Sequence, residues 1–264
     1  MSVSPPCYPS CADIVLGMEE RDIIISAFAG GGKMSCKKEV AKFKEPPHLI
    51  TVPGGTSSGF RKTALSYRKN NTILDNLFRD KAKNIKPRRV AMITFADGWS
   101  WSTEVLRAKL DIPRIDTIIV MDGIHTRSLN GWYNFAKLAA FGKPRLFMAH
   151  TQIKPSCVSA KATNTNIIDS VFPKIKGRLN VPRYIWDAAL EKPISVYSKS
   201  EHPKTKMYQK DPLHTLEVVG NVVRVEYEGS KAQDHTYNAQ YVQPRFWEWL
   251  RNLWDDPESG VRFG

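Results

Sequence analysis

Acidic residues are in short supply in this chain. Its 264 residues set 26 Asp and Glu against 39 Lys and Arg, for a formal net charge of +13. That imbalance favours anionic partners such as nucleic acid, phosphate-rich surfaces or anionic polymers. Cysteine is also sparse, with only Cys7, Cys11, Cys36 and Cys157. Such scattered thiols do not make a disulfide scaffold. Cys7 and Cys11 meet no second Cys/His pair at zinc-like spacing, so a structural zinc is not expected. No apolar run reaches the ~18–20 residues of a membrane span. The opening "MSVSPPCYPSCADIVLGMEERD" has prolines but no basic lead and no long apolar core, so no signal peptide is recognisable. The expectation is a cytoplasmic protein with reduced thiols and no membrane span.

What remains is an ordinary globular composition, 42% hydrophobic and 25% charged. The length suits one large α/β domain, or one domain with an inserted cap. Short apolar runs read as strands at "DIIISAF" (22–28), "HLITVPGG" (48–55), "RRVAMITF" (88–95), "IDTIIVMD" (115–122) and "PRLFMAH" (144–150). Helical patterns separate most of them, at about 61–84, 98–110 and 129–141. Continuous apolar strands alternating with helices are the pattern of a mostly parallel sheet covered on both faces.

Residues 151–215 break that rhythm. "IKPSCVSAKATNTNIIDSVF" starts polar and turns helical, and "VYSKSEHPKTKMYQKDPLH" is basic and punctuated by proline. The region reads as a cap-like insertion before the last strand. "LEVVGNVVRVEYEG" (216–229) returns as a strand or hairpin, and "QPRFWEWLRNLW" (243–254) closes as an amphipathic helix. The expected organisation is an N-terminal extension over 1–45 with one short strand, a main domain over 46–254 and a tail over 255–264.

Residues 61–89 carry ten Lys/Arg against two Asp. They read either as a basic helix that touches polyanions or as an amphipathic helix with a solvated basic face. "AFAGGGKMS" (27–35) is not a phosphate loop. Ala27 stands where that motif needs its first glycine, and Met34 where it needs Ser or Thr. A flexible glycine turn is expected there.

Ligands of doubly wound sheets sit beyond the carboxyl ends of the strands. Those ends offer Gly54-Gly55, then "FADGWS", then Asp122, then His150, with His235 after the final strand. The order nucleophile, acid, histidine is that of α/β-hydrolases. "GWSWS" (98–102) fits the small-x-Ser-x-small pattern loosely, with Ser100 at its centre. A strand ending at Phe95, however, puts Ala96 at the elbow, flanked by Thr94 and Gly98. Asp97 is a third choice, since carboxylates also act as covalent nucleophiles. His125 and His150 are further candidates to line the site. Asp122, His125 and His150 also permit a metal, though no fixed ligand spacing supports one. Trp99 and Trp101 flank Ser100 and are candidates to line a substrate pocket.

"FADGWSWSTEVL", "VMDGIHT", "MAHTQI" and "QDHTYNAQ", in that order, resemble a group of phage and bacterial α/β-hydrolase-like proteins. The resemblance spans about residues 48–254. It implies an α/β-hydrolase-like fold and a Ser–Asp–His site, with Asp122 and His235 matching position by position. The elbow serine of that group falls on Ala96 here. The implied activity is a serine hydrolase acting on an ester, thioester or amide of a small molecule or polymer. Ser100 would attack, His235 would take its proton, and Asp122 would orient the imidazole. Gly54 and Gly55 would help hold the oxyanion, and no cofactor is needed. The alternative is a catalytically inactive hydrolase fold that binds an anionic partner through its basic surface, in a host cytoplasm or a virion.

Overall fold

Ile23, Ile24 and Ile25 are consecutive, fully buried, and belong to two different cores. A strand needs apolar residues on both faces only when both faces are covered, which is the condition of a parallel sheet inside an α/β fold. The computed structural model describes residues 18–29, 36–153, 158–171, 179–180, 213–227, 234–235 and 243–255.

The strands are β1 (Glu19–Phe28), β2 (His48–Thr51), β3 (Ile85–Phe95), β4 (Thr117–Met121), β5 (Arg145–His150), β6 (Leu179–Asn180), β7 (Leu213–Val219) and β8 (Val222–Tyr227). They form one sheet in the order β2-β1-β3-β4-β5-β8-β7-β6. The six strands from β2 to β8 are mutually parallel. β7 pairs antiparallel with β8, and β6 antiparallel with β7.

Five helices pack into the core on one face of the sheet: α2 (Ser57–Tyr67), α3 (Leu74–Lys81), α4 (Trp99–Arg107), α5 (Asn130–Phe141) and α6 (Ala160–Val171). The other face is covered by α1 (Cys36–Val40) and the long C-terminal helix α7 (Gln243–Asp255). α7 supplies Phe246, Trp247, Trp249, Leu250, Leu253 and Trp254 to that core. Phe147 of β5 packs against both Phe246 and Trp249, with ring centroids 4.6 and 4.9 Å away. Fully burying a side chain of this kind stabilises the fold by roughly 1.5–3 kcal/mol.

Three expectations change. The strand placed in an N-terminal extension is an integral member of the sheet, paired with β2 on one side and β3 on the other. The single helix expected over 61–84 is two helices. Asn70 and Asn71 adopt positive φ (52° and 60°) in a tight turn closed by reciprocal Lys69–Thr72 backbone hydrogen bonds, and Asn tolerates that conformation better than most residues. Within the stretch read as an insertion, α6 belongs to the helical layer, with Ile167, Ile168 and Val171 in the same core as α5. Residues 154–157, 172–178 and 181–212 of that stretch, and the tail from 256, lie outside the described residues.

The chain runs from β1 outward to β2, then returns past β1 to β3 and continues through β4 and β5. Connections from β1 and β3 therefore leave in opposite directions. That reversal opens a crevice beyond the carboxyl ends of β1 and β3, where α/β sheets bind ligands.

Candidate active site

β3 ends at Phe95, and the chain turns at once into a 3-10 turn, Ala96–Gly98, that feeds α4. Ala96 occupies the apex with φ +50°. Gly98 is needed for the turn to lie against β1, because a Cβ there would stand 1.8 Å from the Ala27 carbonyl oxygen. The elbow is thus real, and alanine is its occupant. Asp122 (φ 43°) and Ile124 (φ 67°) repeat the left-handed conformation just after β4. Among the described residues the only other non-glycine positions of this kind are Asn70 and Asn71, in their turn. Such conformations cost L-residues roughly 1–3 kcal/mol each and gather at functional sites.

Asp122 is fully buried at the end of β4. Its backbone N–H donates to the Ala149 carbonyl at 2.8 Å, which ties it to β5. Its carboxylate accepts from the Thr151 N–H, and the Thr151 hydroxyl lies 3.0 Å from both oxygens. His235 Nδ1 is 3.2 Å from Asp122 Oδ2. A carboxylate oxygen accepts, so Nδ1–H donates in this hydrogen bond. The imidazole stacks on Phe95, with centroids 4.6 Å apart and planes 23° apart, and its side chain is 24% exposed. The acid and the histidine named from sequence are therefore brought together, beside the residue that precedes the elbow.

Ser100 stands in the first turn of α4 and is 5% exposed. Its hydroxyl faces two carbonyl acceptors, Ser57 at 2.8 Å and Asp97 at 2.9 Å. It thereby fastens α4 to the start of α2. Asp97 is half-buried and accepts from the Ser57 hydroxyl. Gly54 and Gly55 follow β2, and β1 lies between β2 and the elbow strand. Gly54 packs under Phe60, and the contacts of that loop with the elbow turn come from Ser57. The chain end directly beside the elbow is that of β1, where the Ala29 N–H reaches the Phe95 carbonyl at 3.4 Å. The "GGGKMS" stretch that follows lies outside the described residues.

His125 is close to the pair, with Nε2 3.2 Å from the Asp122 carbonyl and Nδ1 3.3 Å from the Val158 carbonyl. Burial pushes its pKa below the ordinary value, against these two acceptors, which favour the protonated ring. His150 is fully buried and does not open onto the crevice. Its Nδ1–H donates to the Thr151 carbonyl, and Nε2 accepts from Arg224 at 3.1 Å. Burial and then the Arg224 charge drive its pKa down to about 4. Trp99 packs against the helical-face core. Trp101 is fully buried and edge-on to Tyr67, so it is a core residue. Among the described residues no group of three His, Cys, Asp or Glu side chains is placed to share a metal ion.

Thr151 and Phe95 were not legible as site residues. Thr151 immediately follows a strand end, but its contact with Asp122 depends on β5 lying next to β4. Phe95 reads as an ordinary apolar strand residue.

The basic stretch 61–89 spends much of its charge internally. Arg61 and Arg68 lie 3.1 and 3.8 Å from the buried Glu104, which Arg107 also engages. Arg88 and Arg89 both bind Asp22, and Lys86 and Lys81 pair with Glu20 and Asp80. None of the described helices is long and apolar enough to cross a membrane. The chain matches no family model and no curated protein sequence.

Proposed function

We propose that this chain is an α/β-hydrolase-like protein whose site lacks a covalent nucleophile and takes up a carbonyl ligand, an ester, thioester or amide, without forming an acyl-enzyme. One observation carries the reading. Ala96, at φ +50°, holds the apex of the elbow, next to the Phe95 on which His235 stacks. A methyl group there cannot attack a carbonyl carbon. The crevice between β1 and β3, the left-handed residues around it and the Asp122–His235 pair support a ligand site at this place.

Ser100 does not take over the missing role. Its hydroxyl is engaged by two main-chain carbonyls within the α2–α4 junction. A nucleophile must give its proton to the base, and among the described residues Ser100 and His235 share no hydrogen bond.

A fluorophosphonate probe tests the reading on the folded protein. Wild-type protein is expected to remain unlabelled, and Ala96→Ser to acquire label that depends on His235. Stoichiometric labelling of wild-type protein, lost in Ser100→Ala, would overturn the proposal and restore a Ser100 hydrolase.

A further inference from the structure

We infer that the Asp122–His235 pair is a working general base that activates a water molecule above Ala96, so that the site hydrolyses activated esters and thioesters in one step. This inference rests on the nucleophile-free reading above and gives that site a reaction.

His235 is held at two points. Nδ1 is fixed by the Asp122 carboxylate, and the ring lies flat on Phe95. A general base needs its imidazole held in a fixed orientation, and these two contacts supply that. The carboxylate behind it is prepared for the same task. Asp122 is fully buried and receives the Thr151 N–H and hydroxyl in addition to the imidazole. A buried carboxylate costs desolvation that only such hydrogen bonds offset. Thr151 satisfies and orients the carboxylate, and the imidazole is the partly exposed member of the pair.

Ala96 puts a methyl at the apex where a nucleophile elbow carries a hydroxyl, one residue after the Phe95 on which the imidazole stacks. A water molecule has the size and the donor proton to stand in place of that hydroxyl. The elbow turn leads directly into the N-terminus of α4 at Trp99. The first N–H groups of a helix have no intrahelical acceptor and suit a developing oxyanion.

The step balances without a further reagent. The water oxygen bonds to the acyl carbon as its proton passes to Nε2, and the carbonyl electrons move onto the oxyanion. Asp122 stabilises the imidazolium. On collapse the bond from carbon to the leaving oxygen or sulfur breaks, and the Nε2 proton goes to that departing atom. The products are a carboxylic acid and an alcohol or thiol. Because no covalent intermediate divides the barrier, good leaving groups are required, and unactivated amides are excluded.

The test uses p-nitrophenyl acetate with the whole protein. Expected are product release that is linear from the first turnover, a normal solvent deuterium isotope effect, and at least a tenfold loss of rate in His235→Gln. His235 is partly exposed, so that variant should fold, and unchanged thermal unfolding verifies this. A wild-type rate equal to that of folded His235→Gln would overturn the inference while leaving the nucleophile-free site intact. A burst with acetyl retained on His235 and no isotope effect would overturn it as well, by making the imidazole itself the attacking group. Fluorophosphonate labelling of wild-type protein would instead defeat the reading on which the inference stands.

Discussion

The imidazole of His235 stacks on the ring of Phe95, with centroids 4.6 Å apart and planes inclined by 23°. Phe95 is the last residue of β3, and the next residue is Ala96 at φ +50°. A histidine more than a hundred residues downstream is thus placed beside the residue that precedes the elbow, with Nδ1 fixed by Asp122.

Restoring a hydroxyl at the elbow is therefore expected to create reactivity. Ala96→Ser adds a single oxygen to a residue already in the required conformation, so stability should change by less than about 1 kcal/mol. Time-resolved hydrolysis of p-nitrophenyl acetate should gain a burst equal to the protein concentration. A variant that folds but shows no burst would mean that His235 does not reach the apex.

Thr151→Val keeps the backbone N–H to Asp122 but removes the hydroxyl that faces both carboxylate oxygens. Leaving a buried carboxylate short of a donor should cost about 1–3 kcal/mol in urea unfolding. The esterase rate should fall with it, because the imidazole loses its alignment. Full stability and full rate in this variant would remove Thr151 from the site.

Gly98→Ala tests the elbow's approach to β1. Its Cβ would meet the Ala27 carbonyl oxygen at 1.8 Å, and the neighbour is backbone that cannot swing aside. Overpacking of this kind typically costs 1–3 kcal/mol or more. The melting temperature should drop by several degrees, whereas an unchanged one would show that the turn is looser than described.

His150 should make the fold acid-sensitive. Burial and Arg224 lower its pKa from 6.5 to about 4, so the unfolded chain binds the proton first as pH falls. Stability from this residue is complete above pH 6.5 and is lost as pH drops toward 4. The loss by pH 5 is on the order of 2 kcal/mol. His150→Gln, whose amide oxygen can still accept from Arg224, should flatten the urea midpoint between pH 7 and 5 relative to wild type. Parallel curves for the two proteins would contradict this.

Much of the sheet was legible because its strands are nearly unbroken apolar runs. Ile23–Ile25 and Ile118–Met121 are buried on both faces, and such runs bounded by polar turns have few other uses. Hydrophobic spacing continues through Asn70-Asn71, where the backbone turns, so spacing alone does not separate α2 from α3. Gly54 and Gly55 are oxyanion candidates because they stand at a strand end, where a second oxyanion N–H would come from. Sheet order instead sets the end of β1 beside β3, and no local pattern announces which strand will be a neighbour.

The amino-acid sequence by itself determined the α/β class, the strand that ends at Phe95, and the three residues Ala96, Asp122 and His235 that stand at strand ends or after them. Those are consequences of local hydrophobic pattern and turn chemistry. Which of the candidates meet follows from long-range packing. It seated Ala96 at the apex, turned Ser100 into the α2–α4 junction, and joined His235 to Asp122. It also turned His150 onto Arg224 and spent the basic charge around Glu104 and Asp22 on internal ion pairs. The physical reason is that such meetings depend on strand order and on which sheet face each helix covers. Both are set by burying the two cores together, across separations that short sequence patterns do not encode.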